Sequence, residues 1–311
     1  MQNNSFVNFS NVELLEYDKS TNVIPSISSS EKTVLNKLSK YPRFGNYITC
    51  YQGEINLSTN KELITTIAST DTKPLLKGAG IQKWYLPLKM SQGQIEYLQY
   101  KKYITRNKGP KSKHYKDLRI VMQGITGVDE NYRIKATLLD ENTFCGHSVN
   151  YISLENINQE NAKYYLALLN STISNWFFKK FSTNSNVNSY EIHNLPVIIK
   201  SDFKSVVVIV DYLLTLKRIQ EEKFSFFFEQ LIDGMVYELY FENEIKQASC
   251  DILKYLDDLP EIKDEMPDEE KLKIITKVFN KLYDKESPVR KNLFFMDSVE
   301  EVAIIKKSLE K

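Results

Sequence analysis

The sequence predicts an α+β protein: a mixed, largely antiparallel β domain with helices, followed by an all-α C-terminal region. Three observations carry this. Short runs rich in β-branched and aromatic residues recur between Tyr47 and Lys200. Seven of the ten glycines fall between Gly78 and Gly146, which marks a loop-bearing region. Beyond Asp202 the apolar residues follow helical spacing only. A chain of 311 residues has the length of about two domains. The cuts fall near residues 45 and 200, giving an N-terminal junction segment over 1–45, a mixed domain over 46–200 and a helical domain over 201–311.

Taken in order, residues 1–45 are Ser/Asn-rich and hold one helix start. Ser28 and Glu31 form a capping box, and Val34, Leu35 and Leu38 supply the apolar face behind it. Strands are expected over Tyr47–Leu57, Leu118–Gln123, Tyr132–Leu139, Val149–Leu154 and Leu195–Lys200. A helix is expected from about Gln159 to Phe181, because Tyr165, Leu169, Ile173 and Trp176 make one apolar stripe. Asn170 and Ser171 are weak helix formers at its middle, so a bend or a break is expected there. A polar loop, Ser182 to Ser189, follows. Four further helices are marked by Val207, Val210 and Leu213; by Phe228, Leu231, Met235 and Leu239; by Ile245, Ile252 and Leu256; and by Leu272, Ile275, Val278 and Leu282. Asp297 and Glu300 read as a capping box opening a last one.

Composition excludes several classes. The longest aliphatic run, Val206 to Val210, is far short of the ~20 residues a spanning helix needs. The opening Met1-Gln2-Asn3-Asn4-Ser5 has no basic region followed by an apolar stretch, so neither a membrane nor a secreted location is expected. Cys50, Cys145 and Cys250 are odd in number and scattered, which fits neither a disulfide framework nor a zinc site and points to a reducing cytoplasm.

The net charge of +1 conceals a segregation. Residues 73–120 carry twelve basic side chains against Glu96 and Asp117, whereas residues 201–311 carry 17 basic against 24 acidic. A basic block of this kind points to a polyanionic partner; a solvated face of a Lys-rich protein is the bland alternative.

No phosphate-binding Gly loop, dinucleotide fingerprint or nucleophile elbow is present. Nor is there an Asn-Pro-Pro-Tyr or Asp-Pro-Pro-Tyr tetrad of an amino-methyltransferase. His114, His147 and His193 are dispersed. Cys145 and His147 could form a ligand pair, but no second pair accompanies them. The acidic run from Asp257 to Glu270 lacks the Gly and terminal Glu of a calcium loop and reads as a solvated linker. The basic block is the positive signal. Tyr97, Tyr100, Tyr103 and Tyr115 interleave with its lysines, which supply phosphate contacts without reading sequence. Arginine is scarce, six against 35 lysines, yet Arg106, Arg119 and Arg133 cluster within 28 residues. Guanidinium forks can read guanine, and Asn or Gln can read adenine. The segment Arg106 to His114 contains Gly109-Pro110 and is expected to be a charged loop, the usual place for recognition residues.

The order of several stretches resembles the TaqI-like C-terminal specificity domain of Type IIG restriction-modification enzymes. They are Gln52 to Asn56, Pro74 to Tyr85, Lys116 to Val121, Lys135 to Asp140, the Leu-Leu-Asn-Ser stretch within Tyr164–Ser171, and Ile192 to Val197. Leu231 to Tyr240 is similar to the helix that follows this domain. The resemblance spans roughly residues 45–245 and makes 46–200 a target recognition domain. It implies binding to double-stranded DNA through loops that contact the major groove. It also implies an adenine methyltransferase and endonuclease, as a domain or subunit outside this chain, to which S-adenosylmethionine and Mg2+ would belong. No cofactor or metal is expected in this chain, and no catalysis by it. The candidate DNA-contacting residues are Lys77, Lys83, Tyr85, Lys101, Lys102, Arg106, Asn107, Lys108, Lys111, Lys113, His114, Lys116, Arg119 and Asn186. The alternatives are a Type I specificity subunit, which normally carries two recognition domains, and a nuclease using carboxylates near Glu130 or Glu242.

Overall fold

The computed structural model describes residues 7–18, 23–87 and 95–310. Lys89 and Gly93 of the basic and glycine-rich regions, and the opening pentapeptide, lie outside them. Two short helices begin the chain, α1 (Asn11–Tyr17) and α2 (Ser29–Leu38), each opened by a capping box, Ser10 with Glu13 and Ser28 with Glu31. The second is the one expected, and its Val34, Leu35 and Leu38 are fully buried.

Two four-stranded sheets follow, and the fold is α+β. The first runs in the order β1 (Cys50–Gln52), β8 (Val149–Ser153), β5 (Arg119–Gln123), β6 (Ala136–Leu139), antiparallel throughout. All five residues of β5 are buried, as befits a central strand. The second runs β2 (Ile64–Thr65), β4 (Glu96–Leu98), β3 (Lys73–Leu76), β7 (Phe144–Cys145), with only the β3–β7 pair parallel. Its strands have two to four residues, too short for alternation to show in the sequence.

Three expected strands change. Tyr132–Leu139 keeps only its second half, as β6. Tyr47–Leu57 shrinks to β1 because the chain at Gly53 presses on the turn before β8: a Cβ there would lie 2.0 Å from the Gly146 carbonyl oxygen. Leu195–Lys200 forms no strand, only a single bridge between Arg43 and Pro196, since Pro196 has no N–H to give a ladder.

The expected long helix breaks where the sequence suggested, into α4 (Gln159–Asn170) and α5 (Thr172–Phe181). Asn170 accepts a hydrogen bond from the Ala136 N–H (3.0 Å) and donates to the Ala136 carbonyl (2.9 Å), anchoring the end of α4 to β6. Ser171 then caps α5 by accepting from the Ser174 N–H. A short helix, α6 (Ser189–His193), closes the mixed region. Between the sheets, one further helix, α3 (Tyr100–Arg106), follows β4.

The C-terminal part is helical: α7 (Lys204–Arg218), α8 (Glu222–Tyr240), α9 (Glu242–Gln247), α10 (Asp268–Tyr283), α11 (Pro288–Phe295) and α12 (Glu300–Leu309). Ile245, Ile252 and Leu256 do not share one helix. Ser249 takes a left-handed conformation (φ 56°) after α9. The buried Glu238 carboxylate accepts the N–H groups of Ile252 (2.6 Å) and Leu253 (2.9 Å) instead. Asp297 caps nothing: it lies in a 3-10 turn, pairs with Lys306, and leaves Val299 as the uncapped start of α12. Helix α11 has no marker in the apolar spacing beyond Pro288 at its first position.

One apolar cluster runs from Tyr17 to Leu309, across both suggested boundaries. Polar pairs reinforce the seams: Lys37 joins Glu244 and Glu301, and Lys180 bonds Glu31 and Ser308. No helix among the described residues is long and apolar enough to cross a membrane.

Candidate nucleic-acid interface

The second sheet carries its own small core, separate from the main cluster: Ile55, Leu63, Leu75, Leu98, Tyr103, Tyr115 and Phe144. Tyr115 stacks on Phe144 at 4.4 Å between ring centroids, and Tyr103 meets the same ring edge-on at 5.7 Å. These two tyrosines are therefore packing residues and not stacking platforms for bases. Burying their rings fixes α3 and the 3-10 turn Pro110–Lys116 on the lobe. The charged loop expected over Arg106 to His114 is thus largely a 3-10 turn. Pro110 occupies its first position, where a preset φ helps and a missing N–H costs nothing.

The lysines of these two elements and of the link between them point outward. Lys102, Lys108, Lys113 and Lys116 are exposed and Lys111 is half-exposed. None of the five has a carboxylate partner among the described residues. Lys101 pairs with Asp71, and Arg106 with Glu62 at 2.8 Å, but all four side chains are about 60% exposed. Such pairs contribute about 0.2–1 kcal/mol and yield readily to a competing phosphate. The Asn107 amide donates to the Tyr103 carbonyl (3.0 Å), closing α3. Lys77 sits on the same lobe and pairs with Glu96 at 2.7 Å. It precedes Gly78, whose backbone N–H donates to the Ser148 hydroxyl at 3.0 Å. A Cβ on Gly78 would lie 2.3 Å from the Ser148 carbonyl oxygen, so only glycine fits.

Five candidates do not join this exposed basic surface. Arg119 is fully buried: it pairs with the equally buried Glu54 at 3.2 Å, donates to the Thr143 carbonyl and lies over the Tyr151 ring. Burial pushes the Glu54 carboxyl above its ordinary value, against the pull of Arg119. This pair ties the chain after β1 to β5 and to the turn before β7, and Arg119 is out of reach of DNA. His114 faces inward, with Nδ1 2.9 Å from the Tyr151 hydroxyl, and burial lowers its pKa, so at neutral pH it is an uncharged packing residue. Lys83 lies over the Tyr132 ring and pairs with Glu229 of α8 at 2.9 Å, bridging the mixed region to the helices. Tyr85 ends a tight turn in which Gln82 and Tyr85 exchange backbone hydrogen bonds, and it lines a cleft against α7. Asn186 is exposed, but it bridges Ile125, beyond the end of β5 remote from Lys116. Four residue steps of β5 alone span roughly 13 Å.

Arg133 is likewise buried, donating to Thr126 Oγ1 (2.6 Å) and to the Asn184 and Asn186 carbonyls, so it shapes the 182–189 loop from within. Scarcity and proximity in sequence look alike for structural and for recognition arginines. Only the partner, Glu54 for Arg119, separates them. Cys145 is buried and His147 exposed, so they form no ligand pair. Among the described residues no group of three His, Cys, Asp or Glu side chains could hold a metal ion.

A family model described as the TaqI-like C-terminal specificity domain matches residues 73–197. That segment contains the whole basic lobe from β3 onward and ends inside the Leu-Pro stretch; it is narrower than the 45–245 over which the sequence shows the resemblance. No curated protein matches the chain. Among solved structures, one is the Type IIL restriction-modification enzyme MmeI in complex with DNA, at 9% identity and a TM-score of 0.32. That alignment covers 85% of this chain and 35% of the MmeI chain, so this chain spans about a third of that protein's length. A likeness this loose adds nothing to the family match.

Proposed function

We propose that this chain recognises a DNA target for a restriction-modification system, and that the lobe bearing α3 and the Pro110–Lys116 turn lies against the phosphate backbone. The observation that carries the reading is the set of unpaired lysines Lys102, Lys108, Lys111, Lys113 and Lys116 on two adjacent elements and the link between them, within the segment that matches a specificity domain. Unpaired ammonium groups on one lobe neutralise neighbouring phosphates and release counterions, which sets affinity and register. Arg106 and the loop around Asn186 are the polar groups left to reach base edges in the grooves.

In this reading an adenine methyltransferase and an endonuclease, with S-adenosylmethionine and Mg2+, belong to another part of the same polypeptide or to a partner. The chain holds the duplex while the partner extracts the adenine from the stack. Selection from a pool of randomised duplexes tests it. Enrichment of one sequence pattern is expected, together with methyl transfer to plasmid only when a cognate methyltransferase is supplied. Recovery of all sequences alike contradicts target recognition, and methylation by this chain alone contradicts the division of labour.

A further inference from the structure

A pocket of about 570 Å³ opens among the C-terminal helices, remote in sequence from the basic lobe. Its floor is made by Asp233 and Tyr237 of α8, one helical turn apart, and by Thr172 at the start of α5. The Asp233 Oδ1 accepts from both the Thr172 N–H (2.8 Å) and the Thr172 hydroxyl (3.0 Å). Oδ2 has no hydrogen bond and no ion pair among the described residues. Tyr237 is 1% exposed, and its hydroxyl makes no hydrogen bond among the described residues. Two cations line the pocket and both are engaged. Arg290 donates to the Tyr283 carbonyl (2.9 Å) and covers the Tyr283 ring, and Lys306 pairs with Asp297. Lys83, which acts on Asp233 from further off, is bound to Glu229.

The site thus leaves a carboxylate oxygen and a tyrosine hydroxyl without partners at the bottom of a cavity walled by aromatic rings. Burial raises the Asp233 carboxyl above its ordinary range, which a bound cation would offset. At its edge Phe226 (67%) and Phe294 (77%) are exposed together, and Phe295 (58%) lies against the Phe294 ring at 5.5 Å, where surface apolar residues ordinarily stand singly. Gly234 lets α11 approach this closely: a Cβ there would lie 2.4 Å from Leu293 Cδ2.

We propose that this pocket receives an arginine side chain presented by a partner polypeptide, with apolar neighbours of that arginine resting on Phe226, Phe294 and Phe295. A guanidinium suits the two orphaned groups at once, donating to Asp233 Oδ2 and to Tyr237 Oη, and its weakly hydrated plane stacks on aromatic faces. A small free amine would leave the exposed phenylalanines uncovered, which is why the occupant is a polypeptide.

The test is an NMR titration of the intact chain, read at its aromatic resonances, with three probes: acetyl-Leu-Arg-Leu-amide, the same peptide with citrulline in place of arginine, and agmatine. The arginine peptide should bind about tenfold or more tighter than the citrulline peptide, the difference expected of a charge-assisted hydrogen bond. In Asp233→Asn, whose Oδ1 still accepts from Thr172, that preference should vanish. Phe294→Ala, at an exposed position, should weaken the peptide and leave agmatine unchanged. Equal binding of the arginine and citrulline peptides overturns the proposal, as does an undiminished preference in Asp233→Asn. Agmatine binding as tightly as the peptide, or a Phe294→Ala chain that binds the peptide normally, removes the polypeptide from it. DNA binding by the basic lobe is unaffected by any of these results, so the two readings stand or fall separately.

Discussion

Arg119 and Lys113 lie six residues apart in the basic block and have opposite physical situations. Lys113 is exposed and unpaired, while Arg119 is sealed with Glu54 at 0% side-chain exposure for both. Removing one member of a buried pair leaves the other charged group desolvated, at a cost of about 3–5 kcal/mol. Arg119→Ala should therefore lower the unfolding free energy by that amount in a urea titration. Lys113→Ala should leave it within about 0.5 kcal/mol, as for ordinary surface changes. A second residue-scale expectation concerns Glu31. Burial works to raise its pKa, but the Lys180 ammonium, the Ser28 N–H and the Ser308 hydroxyl outweigh it and hold it at about 2. A carboxyl depressed in the fold gives stability that is present above its unfolded value and is lost as pH falls through the folded one. Its ordinary value is 4.5, so the loss should run from there down to about 2. Stability measured against pH should fall less over that window in Glu31→Gln. Equal slopes would show that the pairing with Lys180 contributes nothing.

At the scale of elements, the joint between α4 and α5 shows what was legible in the sequence and what was not. The weak helix formers Asn170 and Ser171 announce the break, because their side chains compete for backbone hydrogen bonds. Their spatial task, Asn170 bonding both backbone groups of Ala136, lies 34 residues away in the chain and has no local signal. Asn170→Ala should cost about 1–3 kcal/mol for the buried Ala136 N–H left unpaired, its carbonyl still accepting from the Trp84 N–H, and hydrogen exchange at Ala136 should accelerate; unchanged protection would place the anchor elsewhere. The same reasoning explains the strands. Runs such as Leu118–Gln123 and Val149–Leu154 are readable because they hold six residues rich in β-branched, aromatic and other apolar side chains, while β2, β3, β4 and β7 are too short to show a period. The Asp297 box fails because its carboxylate has a stronger partner in Lys306. In the candidate interface, exposed lysines and buried tyrosines are indistinguishable by spacing. Their separation follows from the ring stacking of Tyr115 on Phe144, which only the assembled second sheet provides.

For the whole molecule, the cut near residue 200 is a change of texture without a break in the core, since the same apolar cluster includes Leu169, Trp176, Phe228 and Ile305. The acidic stretch between Asp257 and Glu270 is exposed, yet it is tied down by the Tyr212 hydroxyl on the Pro260 carbonyl and by the two-pronged pair of Arg218 with Asp268. Limited proteolysis should therefore nick this stretch without releasing the C-terminal piece, which packs α12 against α2 and α5. Dissociation of the fragments under native conditions would show two independent units. The central claim concerns the basic lobe, and the dependence of DNA affinity on salt tests it most directly. With Lys108, Lys111 and Lys113 all changed to Ala, binding should weaken alike on every sequence. The slope of log affinity against log salt should shrink by about 0.9 for each phosphate that is no longer neutralised. A slope equal to that of the unaltered chain would remove the lobe from the DNA.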